Sequence, residues 1–331
     1  MNCAYLAFTD RGMALAHRLA QAQPGTVDRC GKDGVRLGDW TSRSFARCNA
    51  LVFVGAVGIA VRAIAPHCRS KATDPAVVVV DEAGQFAIPV LSGHLGGANA
   101  LARTLAAACG AVPVITTATD VRGVFAVDEW AKQAGCAVLE PERIKQVSGR
   151  LLAGEPVGFW SEFPVNGTPP AGVSPAPAQQ ADFALTLVPQ GEGLHLVPAI
   201  GVLGVGCRRG TTAQQLEAAF AAFCARYALS PRCICAAASI DLKQNEAGLL
   251  EFCAAHRWAV SFYSAGQLKT VPGNFTPSAF VCSVTGVDNV CERAAALAAG
   301  GTIRIPKQAA DGVTFALALR PYAPDWRNQN G

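Results

Sequence analysis

Short apolar runs alternate with helical patterns along most of the chain. Between residues 49 and 135, "ALVFVG" (50–55) predicts a buried strand, and "VGIAVRAIAP" predicts a helix that stops at Pro66. "AVVVVD" and "QFAIPV" flank the tripeptide "EAG" (82–84), which predicts a hairpin. "ANALARTLAAACG" predicts a helix capped by Gly110, and "VPVITT" predicts the next strand. A further β-α unit, "AYLAFT" with "RGMALAHRLAQ", is predicted before them.

The same alternation returns after Pro198. "AIGVLGVG", "CICAAAS", "AVSFYS", "GTIRIPK" and "VTFALAL" predict strands, and helices are predicted at about 212–228, in "EAGLLEFCAAHR" and in "NVCERAAALAAG". Between the two halves, "EPVGFWSE", "DFALTLV" and "GLHLVP" predict short strands. They surround residues 164–180, a segment rich in proline and almost without charge, which is typical of a flexible loop.

This order of elements indicates an α/β protein with mainly parallel sheets. We predict two α/β sheet domains with helices on both faces, joined by a small α+β middle domain. The predicted boundaries are 1–137 for the N-terminal domain, 138–198 for the middle domain with its loop 164–180, 199–322 for the C-terminal domain and 323–331 for a tail.

Composition excludes several classes of protein. Hydrophobic residues make up 51% of the 331 residues, but no apolar run reaches the roughly 18 residues that a membrane span needs. The first residues have no signal-peptide pattern, so we predict a cytoplasmic protein that does not enter the membrane. The net charge of +4 comes from dispersed Lys and Arg, which disfavours nucleic acid and suits a ligand with several carboxylates.

The cysteines do not predict a metal centre. All 13 are scattered and none is in the C-x-x-C spacing of a chelating site, so we expect buried thiols and no protein-bound metal.

The stretch "LSGHLGGAN" (91–99) is the first candidate site. A glycine-rich turn before a helix lets amide N–H groups approach an anion, and it predicts ligand binding by Ser92, Gly93, Gly96, Gly97 and Asn99. The histidine in this turn, His94, can exchange protons near neutral pH. The turn therefore combines a binding element with a candidate acid or base.

Three turns of the N-terminal half are expected to meet at one sheet edge: 55–58, 92–97 and 116–123. They would bring together His94 and Asp120 for acid-base work, with substrate contacts from Gly55, Gly58, Arg62, Thr117 and Thr119. The alternative is that His94 and Asp120 only cap helices.

A second glycine turn, "GVGCRRGTT" (204–212), begins the C-terminal half. Its spacing departs from the dinucleotide fingerprint, and two arginines inside it favour a carboxylate ligand. We expect substrate contacts from residues at this edge: Gly206, Arg208, Arg209, Ser239, Lys243 and Lys307. The long segment "VPGNFTPSAFVCSVTGVDNVCE" is typical of a binding loop or lid. The alternatives are a structural turn with solvated arginines and, for Asp241, a helix cap.

No G-x-S-x-G elbow and no nucleophilic cysteine motif is present, so attack by water is favoured over a covalent acyl-enzyme.

Taken together and in order, these motifs resemble the cobalt-precorrin-5A hydrolases of the oxygen-independent cobalamin (vitamin B12) pathway. The resemblance covers most of residues 50–135 and 200–320. It is carried by "FVGAVGIAVRAIAP", "KATDPAVVVVDEAGQFAIPVLSGHLGGANALA", "VITTATDVRGVFAVDEWA", "LGVGCRRGTT", "ASIDLKQNEAGLLEF", "VPGNFTPSAFVCSVTGV" and "IPKQAADGVTFALA".

The resemblance implies a hydrolase for a cobalt-containing tetrapyrrole. Such an enzyme opens the ring A δ-lactone with water, and the former bridging carbon leaves with its methyl group as acetaldehyde, giving cobalt-precorrin-5B. Cobalt arrives within the substrate, so no cofactor is expected. Relatives of the C-terminal domain occur as separate small proteins in the oxygen-dependent pathway, where this lactone opening is not assigned to them. We therefore expect chemistry in the N-terminal half and macrocycle binding in the C-terminal half.

Two other functions stay open at this point. One is a non-catalytic carrier of the same corrinoid intermediate, and the other is a flavin- or nicotinamide-dependent oxidoreductase, which fold analogy alone suggests. The chain could also form a homodimer and make transient contact with neighbouring methyltransferases of the pathway.

Overall fold

The computed structural model describes residues 2–70 and 73–329. Met1, the residues Lys71 and Ala72 of the "KATDP" motif, and the last two residues of the predicted tail lie outside the described residues. The chain divides into two compact units. The first runs to Lys132 and includes Ile144–Glu155, and the second comprises Gln133–Arg143 and the chain from Pro156 onward.

A six-stranded sheet forms the centre of the first unit. Its strands, in the spatial order β2-β1-β3-β4-β5-β6, are β1 (Cys3–Ala7), β2 (Gly25–Arg29), β3 (Ala50–Val54), β4 (Ala76–Val80), β5 (Phe86–Leu91) and β6 (Val112–Pro113). The first four strands are parallel, β5 is antiparallel to β4, and β6 is parallel to β5. Continuous burial of β1, β3 and β4 matches their uniformly apolar sequences.

Helices cover both faces of this sheet, because alternate residues of each buried strand point to opposite sides. On one face pack α1 (Asp10–Ala22) and α4 (Ala98–Cys109), and on the other pack α2 (Leu37–Arg47) and α3 (Val57–Ile64). The remaining helices of this part of the chain are α5 (Ala118–Arg122), α6 (Val127–Gln133) and α7 (Ile144–Leu152). The predicted strand "VPVITT" is shorter than expected, since β6 has only two residues.

The hairpin between β4 and β5 decides which turns share a sheet edge. It reverses the chain, so Leu91 at the end of β5 lies opposite Val77 near the start of β4. The turns that follow β5 and β6 therefore lie at one edge, whereas Gly55 lies beside the end of β4, donating its N–H to the Val80 carbonyl (2.9 Å). The expectation that turn 55–58 meets the other two is wrong.

The second unit begins with a five-stranded sheet in the order β7-β11-β10-β8-β9. Its strands are β7 (Cys136–Val138), β8 (Val157–Ser161), β9 (Val173–Pro175), β10 (Phe183–Leu185) and β11 (Leu194–Pro198). The proline-rich segment 164–180 is not a loop throughout, because β9 lies within it. The predicted tail is also packed: Trp326 is buried and contacts the rings of Phe159 and Phe183.

A second five-stranded sheet, in the order β14-β13-β12-β16-β15, completes the second unit. Its strands are β12 (Gly201–Cys207), β13 (Ile234–Ile240), β14 (Ala259–Tyr263), β15 (Thr302–Ala310) and β16 (Val313–Leu319). The first three are parallel, and β16 pairs antiparallel with both β12 and β15.

Helices again cover both faces of this sheet. One face packs against α8 (Ala213–Arg226) and α9 (Ala247–Ala255), and the other against α12 (Cys291–Ala299) together with side chains from α10 (Ala265–Lys269) and α11 (Ala279–Thr285). The predicted fold class, α/β with helices on both sheet faces, is confirmed. None of the helices in the described residues is long and apolar enough to cross a membrane.

Candidate active site

The turn from Ser92 to Gly97 connects β5 to α4, and two of its carbonyl groups accept hydrogen bonds from the first residues of α4. The Ser92 carbonyl accepts the Ala98 N–H (3.1 Å), and the Gly93 carbonyl accepts the Asn99 N–H (2.9 Å). Gly96 must lack a side chain, since a Cβ there would lie 2.3 Å from the Ser92 Cβ. Close packing within the turn thus explains why residue 96 is a glycine.

His94 lies between two buried aspartates. Its Nε2 is 2.8 Å from Asp120 Oδ2, and its Nδ1 is 3.4 Å from Asp128 Oδ1. Only 12% of the His94 side chain is exposed, compared with 9% for Asp120 and 8% for Asp128. Because a neutral imidazole carries a single N–H, it cannot donate toward both carboxylates, whereas an imidazolium can. The geometry favours the protonated ring.

Asp120 is also fixed by neutral and cationic donors. Its Oδ2 accepts the Thr117 hydroxyl (2.5 Å) and the Asn99 amide (3.0 Å), and its Oδ1 accepts Arg103 Nη2 (2.6 Å). The Thr119 hydroxyl lies 3.5 Å from His94 Nε2. The turns 92–97 and 116–123 therefore do meet, as the sequence predicted, and their polar residues form one network.

The electrostatics of this network agree with its geometry. Burial alone would lower the pKa of His94, but the interactions with Asp128 and Asp120 outweigh burial and raise its pKa to about 9. Burial would likewise raise the pKa of Asp120, but hydrogen bonds from Thr117, His94 and Arg103 lower it to about 2. At neutral pH the pair is an imidazolium and a carboxylate.

Helix α6 holds the turn through residues that the sequence analysis did not identify. Asp128 faces His94, Glu129 lies 3.9 Å from the Arg103 guanidinium, and Lys132 Nζ donates to the Gly96 carbonyl (2.6 Å). The close spacing of these three charged residues along one helix could have identified them from the sequence. Acidic residues in a first helical turn are, however, also typical of a helix N-terminus that binds no ligand.

His94, Asp120 and Glu129 carry the donor types of a metal centre. One donor atom each from His94, Asp120 and Glu129 lies within 4.8 Å of the others. However, both His94 ring nitrogens face carboxylates, and both Asp120 oxygens accept hydrogen bonds, one of them from a guanidinium. A divalent cation would have to displace Arg103, so these residues fit a hydrogen-bonded ion network better than a metal centre.

A cavity of about 390 Å³ lies beside the His94 turn. Leu95 and Gly96 of the turn line it, together with Cys48, Asn49, Thr73, Asp74, Pro75 and Lys132. This volume is near the lower end of the usual range of about 300–1,000 Å³ for ligand pockets. The cavity can hold part of a large ligand, such as one substituent of a macrocycle.

Cationic and polar groups collect at the carboxyl edge of β12 and β13 in the second unit. The Arg208 and Arg209 side chains are exposed, and neither has an ion pair within the described part of the chain. Lys243 Nζ binds Glu246 Oε1 (2.9 Å), and Glu246 Oε2 accepts the Gly210 N–H (3.0 Å). The hydrogen bond from Gly210 to Glu246 therefore connects the turn to the start of α9, while the guanidinium groups of Arg208 and Arg209 are exposed to solvent.

Three family models match the chain in order. "Cobalamin synthesis G N-terminal" matches residues 39–120, "Cobalamin biosynthesis central region" matches 125–187 and "Cobalamin synthesis G C-terminus" matches 201–318. A cobalt-precorrin-5A hydrolase from Salmonella typhimurium is 34% identical, and the alignment covers 96% of this chain and 97% of that protein. The chain belongs to the cobalt-precorrin-5A hydrolase family. The resemblance noted in the sequence motifs is confirmed.

A second relative has the same name. A cobalt-precorrin-5A hydrolase from Priestia megaterium is 33% identical over 84% of this chain and 80% of its own length. A solved structure of a cobalamin biosynthesis protein G homolog from Sulfolobus solfataricus covers 97% of both chains, with 20% identity and a TM-score of 0.43.

Not every residue expected to bind substrate in this hydrolase family member lies with His94. Gly55 and Gly58 follow β3 at the opposite edge of the first sheet, and Arg62 on α3 places its Nη1 3.5 Å from the Gly58 carbonyl oxygen. In the second unit, Ser239 is fully buried, and its hydroxyl donates to the Val205 carbonyl (2.7 Å). The Ser239 hydroxyl thus has a structural partner in place of a ligand.

Gly206 lies on β12 two residues before Arg208, whereas Lys307 lies on β15, which is separated from β12 by β16. A Cβ at Gly206 would be 2.3 Å from the Thr314 hydroxyl oxygen, so close strand packing explains this glycine. The Lys307 N–H donates to Glu292 Oε1 (2.5 Å). Glu292 is buried and also binds the backbone N–H and hydroxyl of Thr276, which fixes the predicted lid segment to α12 and β15.

Proposed function

We propose that this protein opens the ring A δ-lactone of cobalt-precorrin-5A with water and releases acetaldehyde, yielding cobalt-precorrin-5B. As a family member over nearly its whole length, it is a cobalt-precorrin-5A hydrolase of cobalamin biosynthesis. The observation that carries the mechanism is His94, held as an imidazolium between Asp120 and Asp128 in a glycine-rich turn beside a cavity.

We assign the first proton transfer to His94 acting as an acid. Water adds to the lactone carbonyl, and the ester C–O bond then breaks with its electron pair on the ring oxygen. His94 gives this oxygen a proton, so that it leaves as a hydroxyl and the imidazole becomes neutral. Both protons of the attacking water pass to solvent, one as the water adds and one from the resulting acid, so the acetate arm is left as a carboxylate.

The neutral imidazole is then the base for carbon-carbon cleavage. It takes the proton of the new hydroxyl group, the alkoxide becomes the carbonyl of acetaldehyde, and the bond to the macrocycle breaks. The electron pair of that bond goes into the conjugated ring system of the substrate. His94 returns to the imidazolium form, and Asp120 and Asp128 stabilise its charge and orientation throughout.

We propose that Arg208 and Arg209 bind substrate carboxylates. Guanidinium groups form strong paired hydrogen bonds with carboxylates, and these two are exposed and unpaired among the described residues. Lys243, which shares its charge with Glu246, and Lys307 on β15 are proposed as further substrate contacts.

The test is anaerobic turnover of cobalt-precorrin-5A with acetaldehyde as the measured product. We expect His94→Ala to abolish acetaldehyde release and to leave equilibrium binding of the macrocycle intact. His17→Ala, an exposed histidine on α1, is the matched control and should behave as wild type. Unchanged turnover of His94→Ala would remove this histidine from the mechanism.

The same assay separates the enzyme from a carrier. A carrier would bind cobalt-precorrin-5A with both wild-type and variant chains and release no acetaldehyde with either. We further propose a cytoplasmic location, a homodimer and transient contact with the neighbouring methyltransferases. Sedimentation equilibrium of the purified chain tests the dimer.

A further inference from the structure

We propose that the turn from Ser92 to Gly96 is the oxyanion hole of the lactone-opening step. Its amide N–H groups and the Ser92 hydroxyl would donate hydrogen bonds to the carbonyl oxygen, which becomes negatively charged when water adds. This inference rests on the lactone hydrolysis proposed above, and it gives the turn a catalytic role beyond carrying His94.

In the turn the carbonyl oxygens accept hydrogen bonds, but most amide N–H groups donate none within the described residues. Its carbonyl oxygens are used: that of Ser92 by Ala98, that of Gly93 by Asn99 and that of Gly96 by Lys132. In contrast, no hydrogen bond within the described residues is made by the amide N–H groups of residues 93–96. A polar turn with satisfied acceptors and free donors is suited to an anion.

Ser92 has an unfavourable backbone conformation and a buried hydroxyl without a partner among the described residues. It is a non-glycine residue with a φ of +56°, in the left-handed region that L-residues rarely adopt. Only 9% of the residue is exposed, and its buried hydroxyl has no hydrogen-bond partner among the described residues. Backbone strain and an unsatisfied buried hydroxyl both destabilise the fold, and both are typical of functional positions.

The carboxylates around the turn do not accept hydrogen bonds from its amide N–H groups in the described part of the chain. The carboxylates of Asp120 and Glu129 interact with side chains: His94, Asn99, Thr117 and Arg103 for Asp120, and Arg103 for Glu129. Asp128 faces His94. No backbone N–H of the turn is directed to any of the three in the described part of the chain. The donors are therefore available for a substrate oxygen, next to the positive imidazolium and the N-terminus of the 12-residue helix α4.

The Ser92 hydroxyl reaches the substrate through a shift of the turn. This oxygen is buried without a hydrogen-bond partner among the described residues, and Gly96 lies against Ser92, since a Cβ there would be 2.3 Å from the Ser92 Cβ. A shift of the turn toward a bound carbonyl would give the hydroxyl an acceptor. Catalytic hydrogen bonds often form fully only with ligand bound.

Two substitutions at Ser92 distinguish the effect of its hydroxyl on turnover from the effect of its positive φ on stability. Ser92→Ala removes the hydroxyl and keeps the unfavourable φ, whereas Ser92→Gly removes the hydroxyl and tolerates that φ. We expect both variants to lose about 100-fold or more in kcat for acetaldehyde release with little change in KM, because one oxyanion donor is typically worth about 10² to 10³ in rate. Ser92→Gly alone should unfold at a higher temperature than wild type. Wild-type kcat in both variants, or in Ser92→Gly alone, would overturn the role of the hydroxyl.

A second measurement tests the amide donors without turnover. Sodium acetate, a carboxylate probe, is titrated into ¹⁵N-labelled wild-type protein, and we expect saturable shifts of the amide signals of residues 93–96. The absence of such shifts would overturn the anion site. If the shifts occur but the wild-type protein releases no acetaldehyde from cobalt-precorrin-5A, the proposed reaction fails and the anion site stands.

Discussion

At the scale of single residues, the protonation state of His94 is decided by two neighbours rather than one. Asp120 is the partner that the sequence indicates, because it lies in a polar turn next to the glycine-rich one. Asp128 is hidden in the sequence as an ordinary acidic residue near the start of a helix. In the structure it supplies the second carboxylate, and this changes His94 from a candidate base into a resting acid.

The pH dependence of turnover tests this arrangement. Activity that needs the imidazolium should be lost as the pH rises through about 9, the pKa to which His94 is raised. Asp128→Asn removes one of the two charges that stabilise the imidazolium, so the alkaline limb of the kcat profile should move to lower pH, by about 1 to 3 units.

The matched control for that profile is Asp33→Asn, which removes an exposed carboxylate elsewhere in the first unit. Its alkaline limb should coincide with that of the wild type. An unmoved limb in Asp128→Asn would show that Asp128 does not support the charge of His94.

At the scale of elements, the sequence predicted most strands and helices because their apolar periods are regular. The hairpin at 82–84 was among these predictions, but the chain reversal that it causes was not used in predicting which turns meet. Since β5 runs against β4, the turn after β3 cannot share an edge with the turn after β5. Two turns lie at one edge only when the strands before them run in the same direction within one sheet. Local apolar patterns predict each strand, but they do not give the order of the strands in the sheet.

The proline-rich segment shows a second limit of local patterns. Its composition is typical of a loop, but Val173 is buried and pairs with Val157 on β8. Tertiary contacts, including those of Trp326 with the same sheet, override the low strand propensity of this segment.

A pair of glycine substitutions tests the close packing of the His94 turn. Gly96→Ala places a Cβ 2.3 Å from that of Ser92, so we expect a loss of about 1–3 kcal/mol in the free energy of unfolding and a loss of turnover. Gly149→Ala, on α7, meets no atom within 4 Å and should stabilise the protein by up to about 1 kcal/mol. Urea unfolding of both variants measures the difference, and equal stabilities would contradict the packing argument.

At the scale of the whole molecule, the two compact units carry different chemistry. The first holds the titratable network around His94, and the second presents exposed guanidinium groups at the carboxyl edge of a parallel strand pair. The family models match parts of both units, and the roles proposed for the two units would account for the presence of both. A macrocycle with many acetate and propionate groups needs cations to bind it as well as an acid to cleave its lactone.

If the two units have these roles, substitutions in one should change KM and substitutions in the other kcat. Replacing both arginines, Arg208→Gln with Arg209→Gln, removes the two cations proposed to bind carboxylates, which lie in a different compact unit from His94. We expect KM for cobalt-precorrin-5A to rise by about 10-fold or more, which corresponds to about 1.4 kcal/mol, while kcat stays near the wild-type value. The wild-type KM should also rise with salt, and that salt dependence should weaken in the double variant.

The control is Arg226→Gln with Arg232→Gln, which removes the same charge from exposed positions at the end of α8 and just before β13. Because these positions lie at the opposite edge of the same sheet, their loss should leave KM unchanged. If both double variants raised KM equally, the effect would come from net charge, and the turn at Arg208 would have no specific role. If only the Arg208 and Arg209 pair lowered kcat with an unchanged KM, those residues would act in the chemical step, and the division between the two units would be wrong.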